Sequence, residues 1–212
     1  MSQPGRPLAA PFTVGFDLDM TLIDPRQGMV AAMDTLAVET RLPLDGEYFA
    51  NNLGPPLDQV LRDFGAPETR IAALVGRFRE IYPELVIPAT VALPGAGAAL
   101  DAVRALGGRT LVVTAKHQPN AARHLTALGW RVDVLAGNLW STGKATALRA
   151  NGAVAYVGDH ATDMVGALAA GALPVGVTTG PCDAGTLVSA GAAVVLDTLV
   201  GFPGWLRDQL AS

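Results

Sequence analysis

Six side chains stand at spacings that suit charge and proton chemistry in one cleft. The segment Phe16-Asp17-Leu18-Asp19-Met20-Thr21-Leu22 ends an apolar run, Phe12 to Leu18, in two carboxylates two residues apart. The alternation of side chains along a strand turns both to the same side. Ionised carboxylates at such a place need a cation or hydrogen bonds, and two together favour a hard divalent ion such as Mg²⁺. Val112-Val113-Thr114-Ala115-Lys116 ends a second run with a hydroxyl and backbone N–H groups able to hold phosphate oxygens. Lys144 opens a helical stretch, and Gly158-Asp159-His160-Ala161-Thr162-Asp163 offers two more carboxylates one helical turn apart. Singly, these residues have ordinary uses as caps, solvated charges or helix-start acids. Together at successive strand ends, they would form a site.

Residues from four separate stretches can meet only if the fold carries them to a common edge. From about Arg109 onward, apolar runs at Thr110 to Thr114, Val132 to Ala136, Val154 to Val157, Pro174 to Val177 and Ala193 to Leu196 alternate with helical stretches. Those stretches are Asn120 to Leu128, Thr142 to Asn151, Thr162 to Ala170 and Ala184 to Ala190, closed by Gly129, Gly152, Gly171 and Gly191. The alternation predicts βαβ units and a doubly wound, mostly parallel α/β sheet, and the glycines suit left-handed C-caps. The Phe12 to Leu18 run, apolar on both faces, predicts a central strand covered by helices on each side. In such sheets ligands bind beyond the carboxyl ends of the strands, where Asp17, Thr114 and Asp159 fall.

Between 25 and 90 the periodicity is helical, as in Gly28 to Thr40 and Ile71 to Tyr82, with no strand-like run. This predicts an all-helical insertion bounded by Asp24-Pro25 on one side and by Pro88 and Pro94-Gly95 on the other. The expected organisation is therefore a Rossmann-like core, residues 12–24 and 91–212, carrying a helical cap, residues 25–90.

Two hundred and twelve residues exclude a large multidomain enzyme. Fifteen Lys+Arg against nineteen Asp+Glu give a net charge of −4, which predicts no nucleic-acid or anionic-membrane partner. No apolar run reaches the ~18 residues of a membrane span. Met1 to Pro11, with prolines at 4, 7 and 11 and one Arg, reads as a short disordered lead without a secretory signal. The single cysteine, Cys182, fits a reducing cytoplasm. Of the fifteen basic residues only Lys116 and Lys144 are lysine, and both fall beside the acidic motifs.

The motifs Asp17-Leu18-Asp19-Met20-Thr21, Thr114, Lys144 and Gly158-Asp159-x-x-x-Asp163 resemble, in kind and order, those of the haloacid dehalogenase superfamily of phosphohydrolases. Within it the chain looks like the phosphoglycolate phosphatase-like members with a helical cap. Softer matches are Leu53-Gly54-Pro55-Pro56-Leu57, Pro94-Gly95, Thr114-Ala115-Lys116 and Ser189-Ala190-Gly191-Ala192. The resemblance implies that Asp17 attacks phosphorus to form an aspartyl-phosphate and that Asp19 serves as acid and then base. It implies Mg²⁺ held by Asp17, the backbone carbonyl of Asp19 and Asp159, with Asp163 directly or through a water. Thr114 and the backbone of Ala115 would bind the phosphoryl oxygens, and Lys144 would add fixed charge. Lys116 is a possible partner of the acidic cluster. His117 and His160 receive no role.

Asp19 argues against a dehalogenase, whose halide leaving group needs no proton, and a cap without any lysine argues against a phosphonoacetaldehyde hydrolase. A sugar phosphomutase of the β-phosphoglucomutase type shares the catalytic set and stays open. A signalling receiver, with its phospho-Asp on the third strand, fits poorly, because that strand ends here near Gly137 without an aspartate. The expected substrate is a small phosphomonoester, and the expected state a monomer or homodimer. Arg26, Arg41, Arg62, Arg70, Arg77 and Arg79 are candidates for holding a second substrate anion.

Overall fold

A computed structural model describes residues 11–211, so the lead expected at Met1 to Pro11 falls outside the described residues up to position 10. The chain begins with β1 (Thr13–Phe16) and β2 (Ile23–Asp24), continues through four helices, α1 (Arg26–Thr40), α2 (Gly46–Asn51), α3 (Leu57–Asp63) and α4 (Glu68–Ala89), and returns by β3 (Val91–Ala92). The remainder alternates α5 (Ala96–Ala105), β4 (Arg109–Val113), α6 (Gln118–Ala127), β5 (Val134–Ala136), α7 (Lys144–Ala150) and β6 (Ala153–Gly158). It closes with α8 (Ala161–Ala170), β7 (Leu173–Val177), α9 (Ala184–Ser189), β8 (Val194–Leu196) and α10 (Phe202–Ala211).

Six strands form one parallel sheet in the order β5-β4-β1-β6-β7-β8. The chain winds outward from β1 through β4 and β5, then crosses back to β6. This reversal opens a crevice at the carboxyl end of β1. Both faces are covered. Val14, Phe16, Val112, Val157 and Val175 pack against α5, α6 and α10, while Leu111, Val113 and Tyr156 pack against α7 and α8. At Gly15 a Cβ would lie 2.8 Å from the rings and methyls of Tyr156 and Leu148, so glycine makes room there for a large tyrosine directed at the sheet's edge.

The four helices between β2 and β3 have their own core, in which Met33, Leu36, Leu61 and Val86 are fully buried. A Cβ at Gly28 would overlap the backbone of Val86, so the close approach of α1 and α4 requires glycine. Two features differ from expectation. Ile23–Asp24 and Val91–Ala92 pair as a short antiparallel ribbon joining insertion and core, too brief to leave a pattern. Pro88 does not end the helix: α4 runs through Pro83 and Pro88 to Ala89. Burial of Ile81, Tyr82 and Val86 outweighs the lost backbone bonds.

Candidate active site

Asp17 follows β1 directly, and its N–H donates to the Val157 carbonyl at 2.8 Å, extending the sheet by one residue. The next residues turn sharply, with the N–H groups of Leu22 and Ile23 both donating to Leu18 O at 2.9 and 3.0 Å. Met20 takes a left-handed φ of 57° within this turn, the kind of local strain that persists where surrounding structure over-determines it. The turn brings Asp17 and Asp19 to the wall of one cavity of about 350 Å³ between the sheet edge and the helical insertion. It also aims Thr21, whose hydroxyl donates to Asp159 Oδ1 at 2.7 Å.

Behind Asp17 lies Lys144, the first residue of α7 and only 1% exposed. Its ammonium donates to Asp163 Oδ1 at 2.6 Å and to the Tyr156 hydroxyl at 2.9 Å. It also stands 3.0 Å from Asp17 Oδ1, an oxygen that makes no aligned hydrogen bond and is paired by charge alone. Burial would lower the Lys144 pKa, but Asp163 and Asp17 outweigh it and hold the group above its ordinary value. Tyr156 is fixed in turn by donating to Val113 O at 2.7 Å. Asp163 is the third residue of α8, where it accepts from the His160 N–H at 3.2 Å. Asp159 stands at the tip of β6.

The second lysine serves the second carboxylate. Lys116 Nζ lies 3.0 Å from Asp19 Oδ2 and donates to the Tyr82 hydroxyl at 2.5 Å. Lys116 is buried, and the structure makes it an ion-pair partner of the acidic cluster. Thr114 is also buried, but its hydroxyl accepts from the Lys116 N–H at 3.2 Å and it is absent from the cavity wall. Ala115 does line the cavity.

The acid cluster invites a cation. One carboxylate oxygen each from Asp17, Asp159 and Asp163 lie within 4.8 Å of one another. Desolvation, then Asp163, raises the Asp159 pKa well above its ordinary value; desolvation raises that of Asp17 against the pull of Lys144. Desolvation likewise raises Asp19 against Lys116. Four carboxylates facing two ammonium groups leave two negative charges unbalanced when all are ionised. Two oxygens, Asp17 Oδ1 and Asp19 Oδ1, have no hydrogen-bond partner among the described residues. A divalent, oxygen-preferring ion fits this donor set.

Of the six cap arginines singled out in the sequence, only Arg79 lines the cavity. Arg26, Arg62 and Arg77 are engaged by Asp24, by Asp58 and Glu68, and by Glu39 and Glu80. His160 is half-buried, caps α8 by accepting from the Thr162 N–H at 3.1 Å, and packs on Trp140. It receives no role from the sequence. Sequence reasoning passed over Tyr156, Tyr82, His124 and the role of Thr21. Only Thr21, two residues beyond Asp19, had a local signal.

The family model for haloacid dehalogenase-like hydrolases matches residues 14–177. The tyrosine-protein kinase PtkA of Mycobacterium tuberculosis is 32% identical over 139 residues, 64% of this chain and 46% of that protein. The chain thus spans about half the length of the first curated relatives that it matches. The phosphoglycolate phosphatase of Rhodospirillum rubrum is 30% identical over 221 residues, covering 92% of this chain and 91% of that one. Among solved structures, a haloacid dehalogenase-like family hydrolase from Streptococcus pneumoniae superposes with a TM-score of 0.79 at 19% identity, over 92% of this chain and 98% of the other. Among the described residues no helix is long and apolar enough to cross a membrane.

Proposed function

The chain belongs to the haloacid dehalogenase-like hydrolase family, and we propose that it is a Mg²⁺-dependent phosphatase acting on a small phosphomonoester through an aspartyl-phosphate. The observation that carries this reading is the pairing of each motif aspartate with its own buried lysine, Asp17 with Lys144 and Asp19 with Lys116, both aspartates lining one cavity. Such an arrangement separates a nucleophile from an acid–base group. Asp17 attacks phosphorus and the ester oxygen leaves, taking a proton from Asp19. Water then attacks the acyl phosphate, losing its proton to Asp19 and releasing phosphate and free Asp17. Lys144 holds Asp17 and contributes fixed positive charge beside the transferring group. Asp17, Asp159 and Asp163 would hold the cation, which supplies charge neutralisation between an anionic nucleophile and an anionic substrate.

The cap wall favours hydrolysis of a small ester over mutase chemistry on a sugar. Its lining is apolar at Met29, Phe49, Leu53, Val75 and Phe78, which offer sugar hydroxyls no hydrogen bonds, while Arg79 adds a cationic donor suited to a small anionic group. Its Asp58 is already held by Arg62 at 2.6 Å. The test is Mg²⁺-dependent phosphate release from phosphoglycolate, sugar phosphates and nucleoside monophosphates, with Asp17→Asn and Asp19→Asn alongside. Both variants should lose activity. Activity retained by Asp17→Asn rules out its role as nucleophile, and no release from any ester rules out the phosphatase reading.

A further inference from the structure

The cap contributes one buried polar side chain to the acid–base group. Tyr82 lies on α4, is 2% exposed, and reaches across to two core residues, Lys116 and His124. Its hydroxyl is 2.7 Å from His124 Nε2 on α6. Burial, then the nearby Lys116 charge, lowers the His124 pKa to about 3, so the ring is neutral. Burial pushes Tyr82 up to about 12, so the phenol keeps its proton. The hydrogen-bond directions follow. The phenol proton is committed to His124 Nε2, and the phenol oxygen is left to accept from the Lys116 ammonium, which keeps its charge. Lys116 in turn meets Asp19 Oδ2, whose other oxygen has no hydrogen-bond partner among the described residues.

We propose that Tyr82 is a positioning residue that holds Lys116 against Asp19, so that the acid–base carboxylate is set only while the cap rests on the core. A lysine on a flexible four-carbon stem needs a second fixed acceptor to keep one rotamer, and here that acceptor belongs to the helical insertion, not the core. The cap also closes on the core at Gly54, where a Cβ would lie 2.9 Å from the Trp140 ring. Of these two contacts, the Tyr82 one reaches a reacting group, Asp19, through Lys116. The catalytic consequence rests on the phosphatase reading; the physical link from Tyr82 to Lys116 does not.

Two measurements separate these. Asp19 must protonate an alkoxide leaving group but not p-nitrophenolate. Because Asp19 also serves as base in the later hydrolysis common to both esters, the readout is kcat/KM, which reports steps up to departure of the leaving group. Tyr82→Phe should lower it on n-butyl phosphate by about tenfold, a fraction of the effect of a positioned general acid, while on p-nitrophenyl phosphate it changes less than about twofold. An equal fall on both esters would show a structural role and overturn the catalytic claim. The second measurement needs no turnover. The chain has only two lysines, so limited acylation with acetic anhydride, read by mass spectrometry, compares Lys116 with Lys144, which lies away from the cap. Tyr82→Phe should raise the Lys116:Lys144 labelling ratio severalfold, whereas general loosening would raise both together. An unchanged ratio overturns the proposal. His124→Phe removes the acceptor that orients Tyr82 and should shift both ratios in the same direction by less, which keeps the test decisive if Tyr82→Phe folds poorly. A wild type inert on both esters and on the phosphoglycolate, sugar phosphate and nucleoside monophosphate panel would defeat the phosphatase reading, and the labelling ratio would still decide whether Tyr82 holds Lys116.

Discussion

Lys144 Nζ lies 2.6 Å from Asp163 Oδ1, with both side chains sealed from solvent. The contact makes Lys144 a structural member of the acidic cluster as well as a charge beside Asp17. Removing it leaves Asp163 and Asp17 buried with less compensation, a loss worth about 3–5 kcal/mol for a buried pair. Lys144→Met should therefore lower both kcat, by on the order of 10², and the denaturant midpoint. Lys144→Arg should recover little of either, because a planar fork cannot occupy the space among Tyr156, Asp163 and Asp17 that a compact ammonium fills. Wild-type kinetics in Lys144→Arg would reduce the position to a general positive charge.

The excess of buried carboxylate makes cation binding a stability effect as well as a catalytic one. An ion that binds only the folded state adds about 2.7 kcal/mol at a hundred times its Kd, which for a chain of this size shifts Tm by about 5–10 °C. Saturating Mg²⁺ added to chelator-treated protein should raise Tm by that much. Asp159→Ala should abolish the shift while leaving the fold intact by circular dichroism. An undiminished shift in that variant would place the ion elsewhere.

The groups at strand ends were legible in the sequence because each sits where an apolar run stops. Asp17, Asp159 and Ala115 needed only a strand and its end. Tyr82 and His124 were not legible, since their partners lie 34 and 42 residues away and helical periodicity marks both simply as inward-facing. Tyr156 reads as one more apolar strand residue, and only Gly15 across the sheet reveals that its ring has a place to go. Pro88 misled for the opposite reason. A local rule against proline in helices yielded to the burial of residues spaced along one face of α4.

Gly180, in the loop after β7, carries a constraint no motif announces. Its backbone is not in the left-handed region, so alanine is conformationally acceptable there, yet a Cβ would overlap the Asp159 carboxylate. Gly180→Ala should displace that carboxylate and weaken Mg²⁺ affinity by about 10–100-fold, the range seen when groups that orient metal ligands are changed. Stability without metal should fall by about 1–3 kcal/mol, the usual cost of overpacking a buried site, so Mg²⁺ affinity rather than Tm is the readout. Calorimetric titration with Mg²⁺ measures this directly, and an unaltered affinity would remove Asp159 from the metal set.

His124 gives the protein an acid sensitivity that can be isolated by subtraction. Its pKa is about 3 in the folded chain because burial, then Lys116, disfavours the charged ring, against an ordinary value of 6.5. A depressed folded pKa means that the unfolded chain takes up the proton first. The stabilisation is therefore complete above pH 6.5 and is lost as pH falls from there toward 3. A tenfold difference in proton affinity between the two states is worth about 1.4 kcal/mol, so roughly 2–3 kcal/mol should disappear between pH 6.5 and pH 4. Surface carboxylates paired with arginine, such as Asp24 and Asp58, lose stability over the lower part of this range as well. The informative quantity is thus the difference between wild type and His124→Gln, whose amide oxygen can still accept from Tyr82. Urea unfolding at pH 7, 5.5 and 4 should show wild type losing more than the variant as pH falls. Parallel losses would mean that His124 is protonated in the folded chain without penalty, and that the Tyr82 hydroxyl is not committed to it.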